Sequence, residues 1–215
     1  MPTEKVSYKE TTHTQHRYDW IAPFYNLMEW PVEKLLFQDW RSDLWQQVEG
    51  PKVLEIGVGT GKNIPYYPDD IDLSGIDLSP KMLERAKSLL EKHDKSQVQL
   101  KEMDAQDMDY PDNHFDDVVA TFVFCSVPDP VLGLQEALRV TRPGGRLRLL
   151  EHMRAEWSPL ALVMDRLDAP FHYLSGVHIA RKTVDNVEKA GWQLQKVQDL
   201  TNGGIVKKIE AIKPR

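Results

Sequence analysis

Residues 53–63 run Val53-Leu54-Glu55-Ile56-Gly57-Val58-Gly59-Thr60-Gly61-Lys62-Asn63. An apolar run carrying one carboxylate leads into three glycines at alternate positions. That is a strand passing into a turn whose backbone a ligand can approach closely. Three ligand classes use such a turn: dinucleotides, nucleoside triphosphates and S-adenosylmethionine.

Outward from this stretch the chain alternates strand and helix. Residues 71–76 (IDLSGI) predict a second strand ending at Asp77. In the helix that follows, Ser79 is the N-cap and Pro80 the first helical residue, with Met82, Leu83, Ala86 and Leu90 on one face. QVQLKEM (97–103) is a third strand ending at Asp104, and DDVVATFVF (116–124) a fourth, apolar enough to be buried on both faces. Residues 130–140 form a helix, RPGG (142–145) a turn, and RLRLLE (146–151) a fifth strand. A helix over 179–190 closes at Gly191, and two last strands are joined through Thr201-Asn202-Gly203-Gly204, a hairpin signal. Ahead of all this, residues 32–48 place Val32, Leu35, Leu36, Trp40, Leu44, Trp45 and Val48 at helical spacing behind Pro31. The expected fold is α/β, a doubly wound and mainly parallel sheet with one antiparallel strand at its far end. Ligands of such sheets sit beyond the carboxyl ends of the strands, where the strand order switches. The residues to examine are therefore Glu55, Asp77, Asp104, the 124–128 stretch and Glu151-His152.

The glycine spacing separates the three ligands. The triphosphate loop G-x-x-x-x-G-K-[ST] fails twice: Ile56 replaces its first glycine and Asn63 its hydroxyl. The dinucleotide loop G-x-G-x-x-G fails once, because Lys62 stands where the third glycine permits close helix packing. Glu55 would repel a pyrophosphate but suits a ligand carrying a sulfonium and an ammonium. Asp77, 20 residues after Gly57, is placed to accept ribose hydroxyls, and Asp104 to accept an adenine amino group.

Composition describes an ordinary soluble globular protein. The chain has 215 residues, 41% apolar and 28% charged, enough for one substantial core. Its single cysteine, Cys125, forms no internal disulfide, which suits a reducing cytosol, and no window reaches the ~20 apolar residues needed to span a bilayer. The polar N-terminus lacks a signal-peptide core. Net charge is −6, split as −12 over residues 1–138, +4 over 139–182 and +2 over 183–215. An acidic protein is a poor nucleic-acid binder, while its basic late segment suits an anionic acceptor. No metal site is expected, and a monomer is the default.

VLEIGVGTGKN, GIDLSPKMLERAK, DAQDMDYPDNHFDDVVATFVFCSVPDP and ALRVTRPGGRLRLLEH, spanning about residues 52–152, resemble in order and spacing the successive motifs of class I S-adenosylmethionine-dependent methyltransferases. The resemblance implies that family's Rossmann-like seven-stranded sheet and S-adenosylmethionine as cofactor. By the same resemblance Glu55, Gly57 and Gly59 cradle the methionine part, and Asp77 holds the ribose. Leu78 and Met82 lie beside the adenine, Asp104 and Ala105 meet its edge, and Phe122 to Ser126 floor the site. RYDWIAPFYNLMEW (17–30) is similar to the segment that precedes the core in quinone-biosynthesis methyltransferases and bacterial phosphatidylethanolamine N-methyltransferases, where it folds over the cofactor as a lid. It implies aromatic contacts from Tyr18 and Tyr25.

The expected organisation is then one domain: lid and helix (1–49), cofactor core (50–151), substrate-side insertion (152–178), and closing helix and hairpin (179–215). The insertion mixes Arg154, Arg166, His172 and His178 with Leu162, Val163, Leu167, Phe171 and Tyr173, and Arg181 follows it. Cations among large apolar residues suit an amphiphile with a phosphate head. The run after it and the closing GGIVKKIEAIKP look most like the phosphatidylethanolamine branch. Arg154, His178 and Arg181, with Tyr25, are the expected substrate contacts. His152 is the first candidate base, with Tyr25, Asp19 and His178 behind it. A quinone precursor or another small hydrophobic acceptor remains the alternative. Residues 1–30 mix aromatic and basic side chains that suit an anionic membrane surface.

Overall fold

The computed structural model describes residues 11–19, 37–156, 158–175 and 177–215. Their elements, in chain order, are α1 (11–19), α2 (Gln38–Trp45), β1 (Lys52–Ile56), a 3₁₀ turn (Ile64–Tyr66), β2 (Asp72–Asp77), α3 (Pro80–Lys92), β3 (Gln99–Glu102), β4 (Phe115–Thr121), α4 (Pro130–Val140), β5 (Thr141–His152), α5 (Ser158–Ser175), α6 (Thr183–Lys189), β6 (Gln193–Asp199) and β7 (Val206–Ile212).

The strands form one seven-stranded sheet in the order β3-β2-β1-β4-β5-β7-β6, in which β7 runs antiparallel to both its neighbours. The two-residue period of β4 divides the core between the sheet's faces. Val118 and Ala120 pack with Leu134 and Ala137 of α4 and Val187 of α6. Val119 packs on the opposite face with Leu44 and Trp45 of α2 and Leu83, Ala86 and Leu90 of α3. Strand order reverses beside β1, whose neighbours β2 and β4 lead the chain to opposite edges. A crevice therefore opens beyond the carboxyl ends of β1 and β4.

Helix starts follow the caps in the sequence. Ser79 Oγ accepts the Met82 N–H at 3.2 Å with Pro80 in the first turn. Asp129 Oδ1 accepts from the N–H groups of Val131 and Leu132, each at 3.0 Å.

Several boundaries differ from expectation, each for a local reason. β4 stops at Thr121 rather than Phe124, because Phe122 takes a left-handed φ of +58°. The RPGG turn is absorbed into β5 as a bulge: Phe115 faces Thr141, but Asp117 already faces Arg146. α6 begins at Thr183, since Arg181 is held outside it by the Arg154 N–H on the Arg181 carbonyl, at 2.9 Å. The expected helix over 32–48 is seen as α2, its residues 32–36 lying outside the described ones. The insertion holds α5, an 18-residue helix that the sequence reading did not assign.

Candidate active site

Loops after β1, β2, β3 and β4, with α1 and α2, enclose a cleft that is partly open to solvent. On one wall the N–H groups of Gly57 and Val58 bond the Ile76 carbonyl at 2.8 and 3.1 Å. Gly57 has a φ of +71°, and a Cβ there would stand 2.3 Å from Val123 Cγ2. Gly59, also left-handed at +57°, would meet nothing within 4 Å. Gly57 is fixed by protein packing. Gly59 borders open cleft.

Asp77 lies across from this loop. Its Oδ2 accepts the Gly59 N–H at 2.8 Å and its Oδ1 the Ser79 N–H at 2.9 Å. Burial pushes its pKa up to about 6, against the pull of those two donors. Leu78, Met82, Met103 and Ala105 supply an apolar wall. Asp104 lines the same end, its Oδ1 accepting the Gln106 N–H at 2.9 Å and its Oδ2 the Thr11 hydroxyl at 3.0 Å. Phe122, Val123, Ser126, Val127 and Pro128 make the floor, whereas Phe124 and Cys125 turn into the core. Tyr18 and Thr14 of α1 complete the enclosure.

Glu55, expected to cradle the methionine end, does not line the cleft. Its carboxylate is fully buried beneath the glycine loop. Oε1 accepts from Asn63 Nδ2 at 2.5 Å, and Oε2 from the Tyr67 hydroxyl. Those donors hold it there, because a buried carboxylate needs partners. Desolvation still raises its pKa to about 7. Arg41, which the sequence reading passed over, does line the cleft. Its Nη1 donates to Asn63 Oδ1 at 3.0 Å and to Thr121 Oγ1 at 2.6 Å, and its guanidinium carbon lies 5.3 Å from the Phe122 ring centroid. The available signal was a cation one turn before Leu44 and Trp45, on the buried face of α2.

The substrate-side residues are placed differently from expectation. His152 ends β5 half-buried and does not line the cleft; burial lowers its pKa, and its Nδ1 has no hydrogen-bond partner among the described residues. Arg154 is spent on a two-pronged ion pair with Asp165, both contacts at 2.7 Å. His178 Nδ1 pairs with Asp168 Oδ2 at 2.7 Å, and its ring stacks on His172 with centroids 3.9 Å apart. Arg181 Nη2 donates to the Val127 carbonyl at 2.9 Å, bracing the cleft floor from behind. Arg154 is thus paired at the surface, while Arg181 is turned inward against the floor. Asp19 accepts from Ser79 Oγ at 2.5 Å. Tyr25 lies outside the described residues.

A family described as a methyltransferase domain matches residues 54–149, the stretch that builds the glycine loop, both acidic strand ends and the cleft floor. A phosphatidylethanolamine N-methyltransferase from Cereibacter sphaeroides is 40% identical over 63% of this chain and 69% of its own length. The chain belongs to the class I S-adenosylmethionine-dependent methyltransferases.

Other relatives of the methyltransferase act on different acceptors. A thiol S-methyltransferase from Rattus norvegicus is 34% identical over 68% of this chain and 61% of its own. A ubiquinone/menaquinone biosynthesis C-methyltransferase from Ectopseudomonas mendocina is 32% identical over 73% and 64%. A methyltransferase of solved structure from Aquifex aeolicus shares the fold at a TM-score of 0.64, with 21% identity over 84% of this chain and 92% of that one.

The methyltransferase's cofactor is S-adenosylmethionine, and the cleft fits it. Open space beside Gly59 admits a ligand against the backbone. Asp77 keeps acceptor capacity beyond its two N–H partners, and the opposite end offers an apolar slot closed by a carboxylate.

Proposed function

We propose that the methyltransferase N-methylates phosphatidylethanolamine. The observation that supports this acceptor is the 40% identity to a phosphatidylethanolamine N-methyltransferase, well above that to the thiol and quinone relatives. Gly57 and Gly59 would cradle the methionine part, Asp77 would accept the ribose hydroxyls, and Asp104 and Ala105 would meet the adenine between Leu78 and Met82. Tyr18 and Phe122 would cover the reacting end. When bound, S-adenosylmethionine supplies a methyl group already activated on a sulfonium.

The chain's own work is then positioning and exclusion of water. An ethanolamine head arrives as an ammonium and attacks only after losing its proton. The cleft favours that loss, since an apolar enclosure lowers an amine pKa. Among the described residues no histidine lines the cleft, so His152 is not placed there to take that proton. Incubation with labelled S-adenosylmethionine and a total lipid extract tests the acceptor. Label on methylated ethanolamine lipids is the expected result. Label on prenylated rings would transfer the assignment to the quinone reading, and label on added alkyl thiols alone to the thiol one.

A further inference from the structure

Five of the six large hydrophobic side chains exposed among the described residues sit on α5: Leu162 (66%), Val163 (52%), Leu167 (53%), Phe171 (45%) and Tyr173 (80%). The helix already has a buried side, formed by Ala161 and Met164. At 100° per residue the five span about half the cylinder, with Leu162, Val163 and Tyr173 opposite the buried pair and Phe171 about 20° from Met164 at its edge. A helix apolar on both sides belongs in an interior, yet among the described residues only the side of α5 that carries Ala161 and Met164 is buried. The insertion's large apolar residues thus point outward, and these five do not line the cleft.

We propose that the outer face of α5 docks on a lipid bilayer and delivers the cleft to its acceptor at the membrane surface, an inference that rests on the lipid-acceptor reading above. Three observations select a bilayer. A single convex helix face needs no shaped partner when it sinks into the headgroup boundary.

The charges also fit. Asp165 is tied to Arg154 and Asp168 to His178, which leaves exposed Arg166 to meet anionic headgroups. Finally, the face adjoins the cleft mouth. Arg17 of α1 donates to the carbonyls of His172 and Tyr173 at 3.2 and 3.1 Å, and Thr14 and Tyr18 of the same helix line the cleft.

The test is flotation of the full chain with phosphatidylcholine vesicles containing phosphatidylglycerol, comparing wild type with the triple variant Leu162→Glu, Val163→Glu, Leu167→Glu. The wild type floats with the vesicles, and the variant's vesicle affinity falls roughly tenfold or more, while its S-adenosylhomocysteine affinity holds. Equal flotation of the two overturns the proposal, as does a wild type that never floats. A wild-type dimer in sedimentation that the variant disperses also overturns it, assigning the face to a second copy. Should the variant melt early, Leu167→Cys carrying an environment-sensitive dye replaces it, since native Cys125 is buried. A blue shift on adding vesicles supports docking, and its absence overturns it. The acceptor reading is scored separately on monomeric short-chain phosphatidylethanolamine. No methyl transfer there would sink that reading while flotation still decides the docking.

Discussion

Gly59→Ala separates a ligand site from a folding site. At a φ of +57° an alanine is strained by about 1–2 kcal/mol, partly offset by about 0.4–1 kcal/mol of lost freedom in the unfolded chain. Among the described residues, none beyond Gly59's chain neighbours comes within 4 Å of the new methyl, so no steric cost is added. The net effect, near 1 kcal/mol, lowers the melting temperature of a chain this size by about 2–4 °C. The cofactor experiences more. A methyl projecting into the cleft at the point of backbone approach forces the ligand off the loop and away from Asp77. Loss of one close contact and one charged hydrogen bond is worth at least ~3 kcal/mol, or about 100-fold in Kd. Calorimetry with S-adenosylhomocysteine, beside melting followed by circular dichroism, reads both quantities. A variant that melts as expected and still binds with wild-type affinity would refute the placement of the cofactor against this loop.

Gly57→Ala gives the converse: with Val123 Cγ2 only 2.3 Å from the added carbon, stability falls by several kcal/mol, and Val123→Ala in the same chain restores part of it in a denaturant titration. Asp77→Ala raises the Kd for S-adenosylhomocysteine by about 100-fold or more while Asp77→Asn costs less, and an unaltered Kd in both removes Asp77 from the ribose role. In the wild type the same affinity weakens as pH falls below about 6, where Asp77 takes up its proton. Glu55 and Glu151 are both raised to about 7 by burial, so folding takes up protons between their unfolded and folded pKa values. Stability is therefore highest below about pH 4.5 on their account and is lost as pH rises through 7, on the order of 3 kcal/mol per group. Glu55→Gln should remove its share of that slope in unfolding measured at pH 5 and pH 8, and an unchanged slope would show that its pKa is ordinary.

Much of the sheet was legible because each strand announces itself locally. The run Val53–Ile56 ends at glycines, Asp77 closes IDLSGI, and Asn202-Gly203-Gly204 marks the one antiparallel return. Ser79-Pro80 and Asp129-Pro130 fix their helices for the same reason. What stayed hidden depends on distant partners. Glu55 is captured beneath the loop by Asn63 and Tyr67, a choice that only the folded loop sets. The end of β4 at Thr121 is decided across the sheet by Glu151. Arg154 and Arg181 looked available for a phosphate, and their partners, Asp165 and the Val127 carbonyl, come together only in three dimensions. The insertion's apolar residues were read as acceptor contacts and not as a helix, and nothing in their order says which side of α5 is covered.

Glu151 shows how far from the ligand the cleft is determined. It sits at the tip of β5, fully buried, and its Oε1 accepts the N–H groups of Val123 and Phe124 at 2.9 and 3.1 Å. Those two donors would otherwise extend β4. Captured by the carboxylate, they turn the chain at Phe122, whose left-handed φ is strained for a bulky residue. The turn brings Val123 against Gly57, filling the space a Cβ would need. Gly57 then admits no other residue, and the glycine loop is held where its neighbour Gly59 faces open cleft. A carboxylate that does not line the cleft thus sets the floor and, through Val123, one wall. Its desolvation weakens the fold near neutral pH, the same pH range in which Asp77 is ionised and ready to accept hydroxyls. The destabilisation is tolerated because it preorganises the loops, so that a bound ligand spends little of its interaction energy on ordering them.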